Sequence, residues 1–231
     1  MRTKRLAITL AALAGVAGIG VATAQTAGTG SVTQTAAGHR IGGDEAPVKL
    51  IEFVSYTCPH CADFEKDAEG ALKLVFVRSG KVSVEVRHIV RDPVDLTAAL
   101  LANCGPKEKF FQNHTALMLA HPQWMAKGRA ATAAQKQRWA SGDYASRRRA
   151  IASDLDFYKL MEQRGYKRTQ VDACLNDDAA AQALVSQTYK NSQEFEVPGT
   201  PSFALNGAML DQVHSWEALE PKLQAAVKSA K

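Results

Sequence analysis

The chain has 231 residues, 46% of them hydrophobic, which fits one large domain or two small ones with a substantial core. That excludes a disordered tail and a miniature held together only by disulfides. Its 28 Lys plus Arg against 23 Asp plus Glu give a formal charge of +5, which taken alone would invite nucleic acid or anionic membrane as partners, but the placement of the charges argues otherwise.

Arg2, Lys4 and Arg5 precede an uncharged run rich in Ala, Leu, Gly and Val from Leu6 to Ala24, and Ala22-Thr23-Ala24 has the small-x-small form of a signal-peptidase site. Residues 1–24 therefore read as a cleavable secretory signal. The competing reading is an uncleaved anchor, because the run of 19 residues is near the lower length for crossing a bilayer. Cleavage after Ala24 leaves 207 residues and removes three cations and no acid, so the charge falls to +2 and no nucleic-acid partner is expected. In either case the rest of the chain is expected beyond the inner membrane, in the periplasm, where disulfides are permitted. No Cys stands at the cleavage point, which argues against a lipid-anchored form.

Residues 25–43 read as a flexible linker, because Gln25 to Gly38 is small, polar and uncharged, and the folded part is predicted to begin near Asp44. Val48 to Val54 is β-branched and aromatic and predicts a buried strand. A helix follows, with Thr57 as N-cap, Pro59 in its first turn, and Phe64, Ala68, Ala71, Leu72 and Val75 on one face until Ser79-Gly80. Val82 to Ile89 alternates as a second strand, parallel to the first if the helix is the crossover. From Leu96 to about Gln193 the pattern is Ala-rich helix, broken near Cys104-Gly105-Pro106, His121-Pro122, Ser141-Gly142 and Arg164-Gly165. Phe203 to Leu205, Asn206-Gly207 and Ala208 to Leu210 form a hairpin signal, and a last helix runs from about Ser215 to Val227. The simplest architecture is an α/β sheet domain, 44–95 and 194–231, with a helical domain, 96–193, inserted into it.

Four cysteines stand at 58, 61, 104 and 174. Cys58-Pro59-His60-Cys61 falls at a strand-to-helix junction, where unpaired N–H groups and the helix dipole favour an anion, so the Cys58 thiol is expected to be acidic. A stabilised thiolate is a good leaving group, so a Cys58–Cys61 disulfide would be opened readily by a substrate thiolate. His60 is expected to push the Cys58 pKa the same way.

The segment EFVSYTCPHCADFE together with VPGTPSF resembles the DsbA family of thioredoxin-fold thiol:disulfide oxidoreductases, from about Asp44 to the C-terminus. The resemblance implies a thioredoxin fold with an inserted α-helical domain. It also implies a cis peptide bond before Pro201, beside the active-site sulfurs, with the backbone of Thr200 turned out to pair with an extended substrate. Glu52 matches the buried acid that such enzymes keep under the active site for proton movement at the inner cysteine; the plainer reading is a sheet-end Glu reaching solvent. Cys104 and Cys174 read as a structural disulfide, with two buried free thiols as the alternative.

The function so implied is a periplasmic oxidase that passes disulfides to reduced exported proteins. It needs no metal or organic cofactor, works as a monomer, and is reoxidised by a DsbB-like, quinone-linked membrane protein to which an exposed Cys58 is presented. An isomerase or reductase of the same family is the alternative, since Thr before the cis-proline also occurs in isomerase-type relatives. Against it, too few residues lie between Ala24 and Asp44 for the usual dimerisation domain. A different class, a metal-binding module, would use Cys58 and Cys61 as soft ligands, but no second closely spaced Cys/His pair accompanies them. Lys127 to Arg149 carries seven basic residues and one acid, read first as a solvated helical face and second as a contact for an acidic partner. His88, His114, His121 and His214 are scattered without ligand spacing.

Overall fold

The computed structural model describes residues 30–230, so the expected signal and its anchor alternative lie outside the described residues. β3 (Val48–Val54) and β4 (Val82–His88) are the two apolar runs read as strands, and they pair in parallel with Glu52 opposite Val86. The crossover between them is α1 (Pro59–Ala71). On the other side of β3 lies β5 (Ser202–Leu205), antiparallel, which turns back into β6 (Ala208–Met209). Asn206 and Gly207 in that turn take φ of 51° and 85°, the left-handed pair a tight hairpin requires. The Asn206 side-chain oxygen accepts from the Lys49 N–H at 2.7 Å, tying the turn to the head of β3.

The expected linker over 25–43 is only partly a linker. β1 (Val32–Gln34) and β2 (His39–Ile41) form a hairpin within it, and β2 extends the sheet by pairing antiparallel with β4, giving the order β1-β2-β4-β3-β5-β6. The Thr35 hydroxyl oxygen builds the turn by accepting from the N–H groups of Ala37 and Gly38 at 3.2 and 2.9 Å. Gly38 is required there, since a Cβ would lie 2.0 Å from the Val86 carbonyl oxygen. The small residues that suggest flexibility in the sequence are thus what lets this hairpin lie against β4.

α1 also departs from its expected face. Phe64, Ala68 and Leu72 are buried, but from Leu72 to Val77 the chain widens into π-helical turns. The wider turn carries Phe76 and Val77 inward and leaves Val75 62% exposed.

Between β4 and β5 the chain is helical. α2 (Pro93–Ala102) is followed by a 3₁₀ turn at Lys107–Lys109, α3 (Phe110–Leu119), α4 (His121–Ala130) and α5 (Ala133–Ala140). Then come α6 (Tyr144–Asp154), α7 (Phe157–Gln163), α8 (Arg168–Asn176) and α9 (Asp178–Phe195). Asp92, Thr132, Asp143 and Asp177 cap α2, α5, α6 and α9 with their side chains. The terminal helix α10 (Trp216–Ser229) is capped by Ser215. It packs Leu219 and Leu223 onto a core with Val48, Leu50, Phe64 and Phe203. A second core joins Val54, Tyr56, Cys58 and Cys61 to the helical segment through Leu101, Phe110, Ile151 and Phe157. The Cys-Pro-His-Cys turn therefore sits on the seam between sheet and helices.

Candidate active site

β3 ends at Val54, and Ser55-Tyr56-Thr57 carries the chain to α1, whose first residue is Pro59. The N-cap is Cys58 itself, not Thr57. Thr57 instead donates its hydroxyl to Asp92 at 2.8 Å. The turn is held from below by Asp95, a buried carboxylate that accepts from the Ser55 hydroxyl (2.5 Å), the Tyr56 N–H (2.8 Å) and the Arg91 N–H (3.0 Å). Burial pushes Asp95 up to about 6 against the pull of those donors.

The two sulfurs are driven in opposite directions. Cys58 falls to about 4, first because the Cys61 thiol donates to it, then through the Thr200 side chain and the N–H groups of Cys61 and His60, all against its own burial. Cys61 is pushed well above the ordinary thiol range by burial and by the neighbouring Cys58 sulfur. Both are free thiols here. Cys58 is only 3% exposed, so its sulfur is not presented freely to a partner as the sequence reading had it. In the thiol form it donates to the Thr200 carbonyl at 3.1 Å.

The Thr200–Pro201 bond is cis, and the loop bearing it lies over Cys58. Thr200 Oγ1 is buried without a nitrogen or oxygen partner, and its hydroxyl helps hold charge on either sulfur. Beside it His60, Pro198, Gly199, Thr200, Pro201 and His214 line an open hollow. His60 is exposed, and its contribution to the Cys58 sulfur comes from its backbone N–H, a correction to the side-chain role expected of it.

Glu52 is 2% exposed, on the β3 face shared with Leu50 and Val54, which removes the reading of a solvent-reaching Glu. Burial first, and the Glu65 charge second, raise its pKa well above the usual carboxylate range. No hydrogen bond ties it to either sulfur. It borders a small cavity of about 20 Å³ with Glu65, Glu69, His114 and the half-buried Lys73. Glu65, one helical turn beyond Cys61, accepts from the Thr115 hydroxyl at 2.5 Å and faces His114 Nε2 at 3.5 Å. Burial raises Glu65, but His114 and Thr115 outweigh it and hold the carboxyl below its ordinary value.

Three groups at the site carry no local sequence signal: Asp95, His214, whose Nδ1 lies 2.8 Å from the Pro201 carbonyl, and His121. His121 is 5% exposed and lies close enough to the Thr57 backbone and to Cys58 for both to favour its charge. Only His121-Pro122, marking a helix start, could have flagged one of them. Cys104 and Cys174 are joined by a disulfide with Cα atoms 5.7 Å apart. Among the described residues no cluster of three or more His, Cys, Asp or Glu is placed to hold a metal ion, and no helix is long and apolar enough to cross a membrane.

A family model described as thioredoxin matches residues 34–225. The chain belongs to the thioredoxin family. Within it the architecture is DsbA-like. A protein-disulfide isomerase from Novosphingobium aromaticivorans superposes with a TM-score of 0.80 at 45% identity, covering 84% of this chain and 99% of that one. The alpha-DsbA1 of Wolbachia pipientis, at 20% identity, shares the fold with a TM-score of 0.65 over 83% of this chain and 91% of its own. A curated relative from Rickettsia typhi, provisionally named a protein-disulfide oxidoreductase, is 28% identical over 172 residues, 74% of this chain and 55% of the relative. This thioredoxin-family chain thus spans about half the length of the curated relatives it matches.

Proposed function

We propose that the protein is a DsbA-type protein-disulfide oxidoreductase of the periplasm, acting as an oxidase on reduced exported proteins. The observation that carries the proposal is the divergence of the two cysteines, with the Cys58 thiol near 4 and the Cys61 thiol pushed up. A low-pKa outer sulfur stabilises the reduced pair and makes the disulfide oxidising. In the oxidised protein a substrate thiolate attacks the Cys58 sulfur and the Cys58–Cys61 bond breaks. Cys61 leaves as a thiolate and takes a proton, because its buried site does not support the charge. Glu52, whose burial raises its pKa and so favours the protonated form, supplies that proton, and the Glu65, His114 and Lys73 side chains border the same cavity. A second substrate thiolate then attacks the substrate sulfur of the mixed disulfide and releases Cys58 as a thiolate. The substrate loses two electrons and forms one disulfide, and the Cys58–Cys61 pair gains them. A quinone-linked membrane protein of the DsbB kind takes those electrons back.

Thr200 and Pro201 serve as the substrate-pairing edge, with Pro59 and His60 framing the attack on Cys58, and Cys104–Cys174 is structural. The sheet portions 44–95 and 194–231 and the helical insertion 96–193 form the two working halves. The 45% identical relative titled a protein-disulfide isomerase favours a second reading, isomerisation at the same sulfurs. The test is equilibration with glutathione followed by two substrate assays. An oxidase has a potential on the oxidising side and oxidises a reduced protein faster than it rescues a scrambled one. A thioredoxin-like reducing potential sinks the oxidase, and faster rescue of the scrambled protein selects the isomerase.

A further inference from the structure

The basic stretch from Lys127 to Arg149 divides into two sets in the folded protein. Four of its cations are engaged: Lys127 with Asp156 at 3.1 Å, Arg138 with Asp154 at 2.9 Å, Arg148 with Asp178 at 2.5 Å, and Arg149 with Asn176. The other three, Arg129, Lys136 and Arg147, have no carboxylate partner and line one groove, to which Arg91 adds a fourth cation. Arg91 donates to the Thr57 hydroxyl at 3.1 Å, and Arg147 donates to the Gly142 carbonyl at 3.0 Å and lies over the Tyr144 ring. Asp92 is the acid among the described lining residues, and its oxygens are already taken by Thr57 and by the N–H groups of Val94 and Asp95. The rim therefore carries four cations against the single carboxylate of Asp92.

The floor is apolar. Val94, Met125, Trp139, Ile151 and Leu155 enclose a groove of about 730 Å³ between α2, α4, α5 and α6. Thr57, the residue before Cys58, is among its lining residues. Arg129 also borders a neighbouring hollow with Pro59, Asp63, Lys66 and His121, so the groove adjoins the first turns of α1. This groove shares no lining residue with the hollow under the Thr200–Pro201 loop, so a chain engaged at Cys58 has two separate surfaces to extend over.

We propose that the groove between α2, α4, α5 and α6 binds an extended segment of the substrate protein that carries apolar side chains flanked by Asp or Glu, close in sequence to the cysteine reacting at Cys58. The floor takes the apolar side chains and the rim pairs the carboxylates, which also speeds encounter at low salt. An anionic membrane is the poorer occupant, because the apolar surface is recessed and a flat bilayer does not enter a groove. The proposal rests on the disulfide-exchange reading for why a peptide approaches Thr57, but occupancy of the groove is measured without exchange.

The experiment uses a fluorescent peptide with a Leu-Trp pair flanked by Asp and Glu and Ser in place of cysteine, against the same peptide flanked by Lys. By fluorescence anisotropy at low salt the acidic peptide should bind about tenfold more tightly, as a few partly screened rim pairs allow, and the preference should shrink as salt rises. The double variant R129E/K136E should erase the preference, while K222E, a charge reversal on α10 outside the groove, leaves it. A peptide without tryptophan that changes Trp139 emission in the unmodified protein gives the same reading should the double variant fail to fold. Equal binding of both peptides, a preference that survives R129E/K136E, or binding of anionic vesicles but of neither peptide overturns the proposal. Failure of the exchange reading looks different: the protein then does not oxidise a cysteine-bearing peptide, whichever peptide occupies the groove.

Discussion

The two cysteine pairs of this chain sit at opposite ends of helices. Cys58 is the N-cap of α1 and Cys61 lies in its first turn, where N–H groups point outward and a sulfur anion is favoured. Cys104 follows the C-terminal end of α2, and Cys174 lies in the last turn of α8. There the free groups are carbonyls, and among the described residues no helix N-terminus faces an anion on either sulfur of the Cys104–Cys174 bond. An anion on Cys58 is supported in the first pair, and no anion is supported in the second. The same residue type thus supplies a proposed exchange site and a bonded strut, and helix polarity separates the two.

The strongest way to break that comparison is to remove one sulfur from each pair. Cys58→Ser should reduce thiol exchange to background in a glutathione-coupled or protein-oxidation assay, whereas Cys104→Ser leaves the exchange rate largely intact. Equal losses would mean that both pairs react. The next effect is a pH dependence confined to the first pair. The reduced protein holds Cys58 near 4, below the value of an unfolded thiol near 9, so the folded state binds fewer protons between those values. Its stability relative to the oxidised protein should therefore rise with pH from about 4 to about 9 and be lost as pH falls through about 4. Urea unfolding of both redox forms across that window measures it, and a gap that does not change with pH rules out an anionic Cys58. Third in size, the double variant C104A/C174A should lower the unfolding free energy. The loop closed by the 70-residue separation accounts for about 4 kcal/mol, with turnover changed by less than about twofold.

How far the sequence reaches follows the same division between local and distant. β3, β4 and the Asn206-Gly207 hairpin were legible because their apolar runs and turn residues are contiguous. Cys58, Cys61, Thr200 and Pro201 were legible as motifs, although 142 positions separate Cys58 from Thr200. β1 and β2 were not, because strands of three residues with Gly38 between them carry no periodicity and are defined by the edge of β4 they lie against. Val75 fell on the wrong face because π-helical widening is a property of the packed segment, not of residue spacing. Asp95, His121 and His214 reach the turn from three different elements, so only the folded chain brings them together.

The finest test concerns the asymmetry inside the first pair, where the proposal has Glu52 serve Cys61 and not Cys58. If Glu52 supplies the proton that Cys61 takes on leaving, Glu52→Gln should slow the step that opens the Cys58–Cys61 disulfide by about a hundredfold, the low end of what a positioned acid contributes. It should also remove one inflection from the pH profile of that step while leaving the Cys58 titration in place. Stability carries an independent sign. Because burial raises the Glu52 pKa, the folded chain holds a proton that the unfolded chain releases above its ordinary value of 4.5, so this group makes stability fall as pH rises past that point. A glutamine cannot ionise, so the variant should gain stability over the unmodified protein as pH increases, in both redox forms. A variant that stabilises in this way with an unchanged rate and pH profile would make Glu52 a buried cost without a part in the exchange. Cys61 would then have to draw its proton from another donor at the seam.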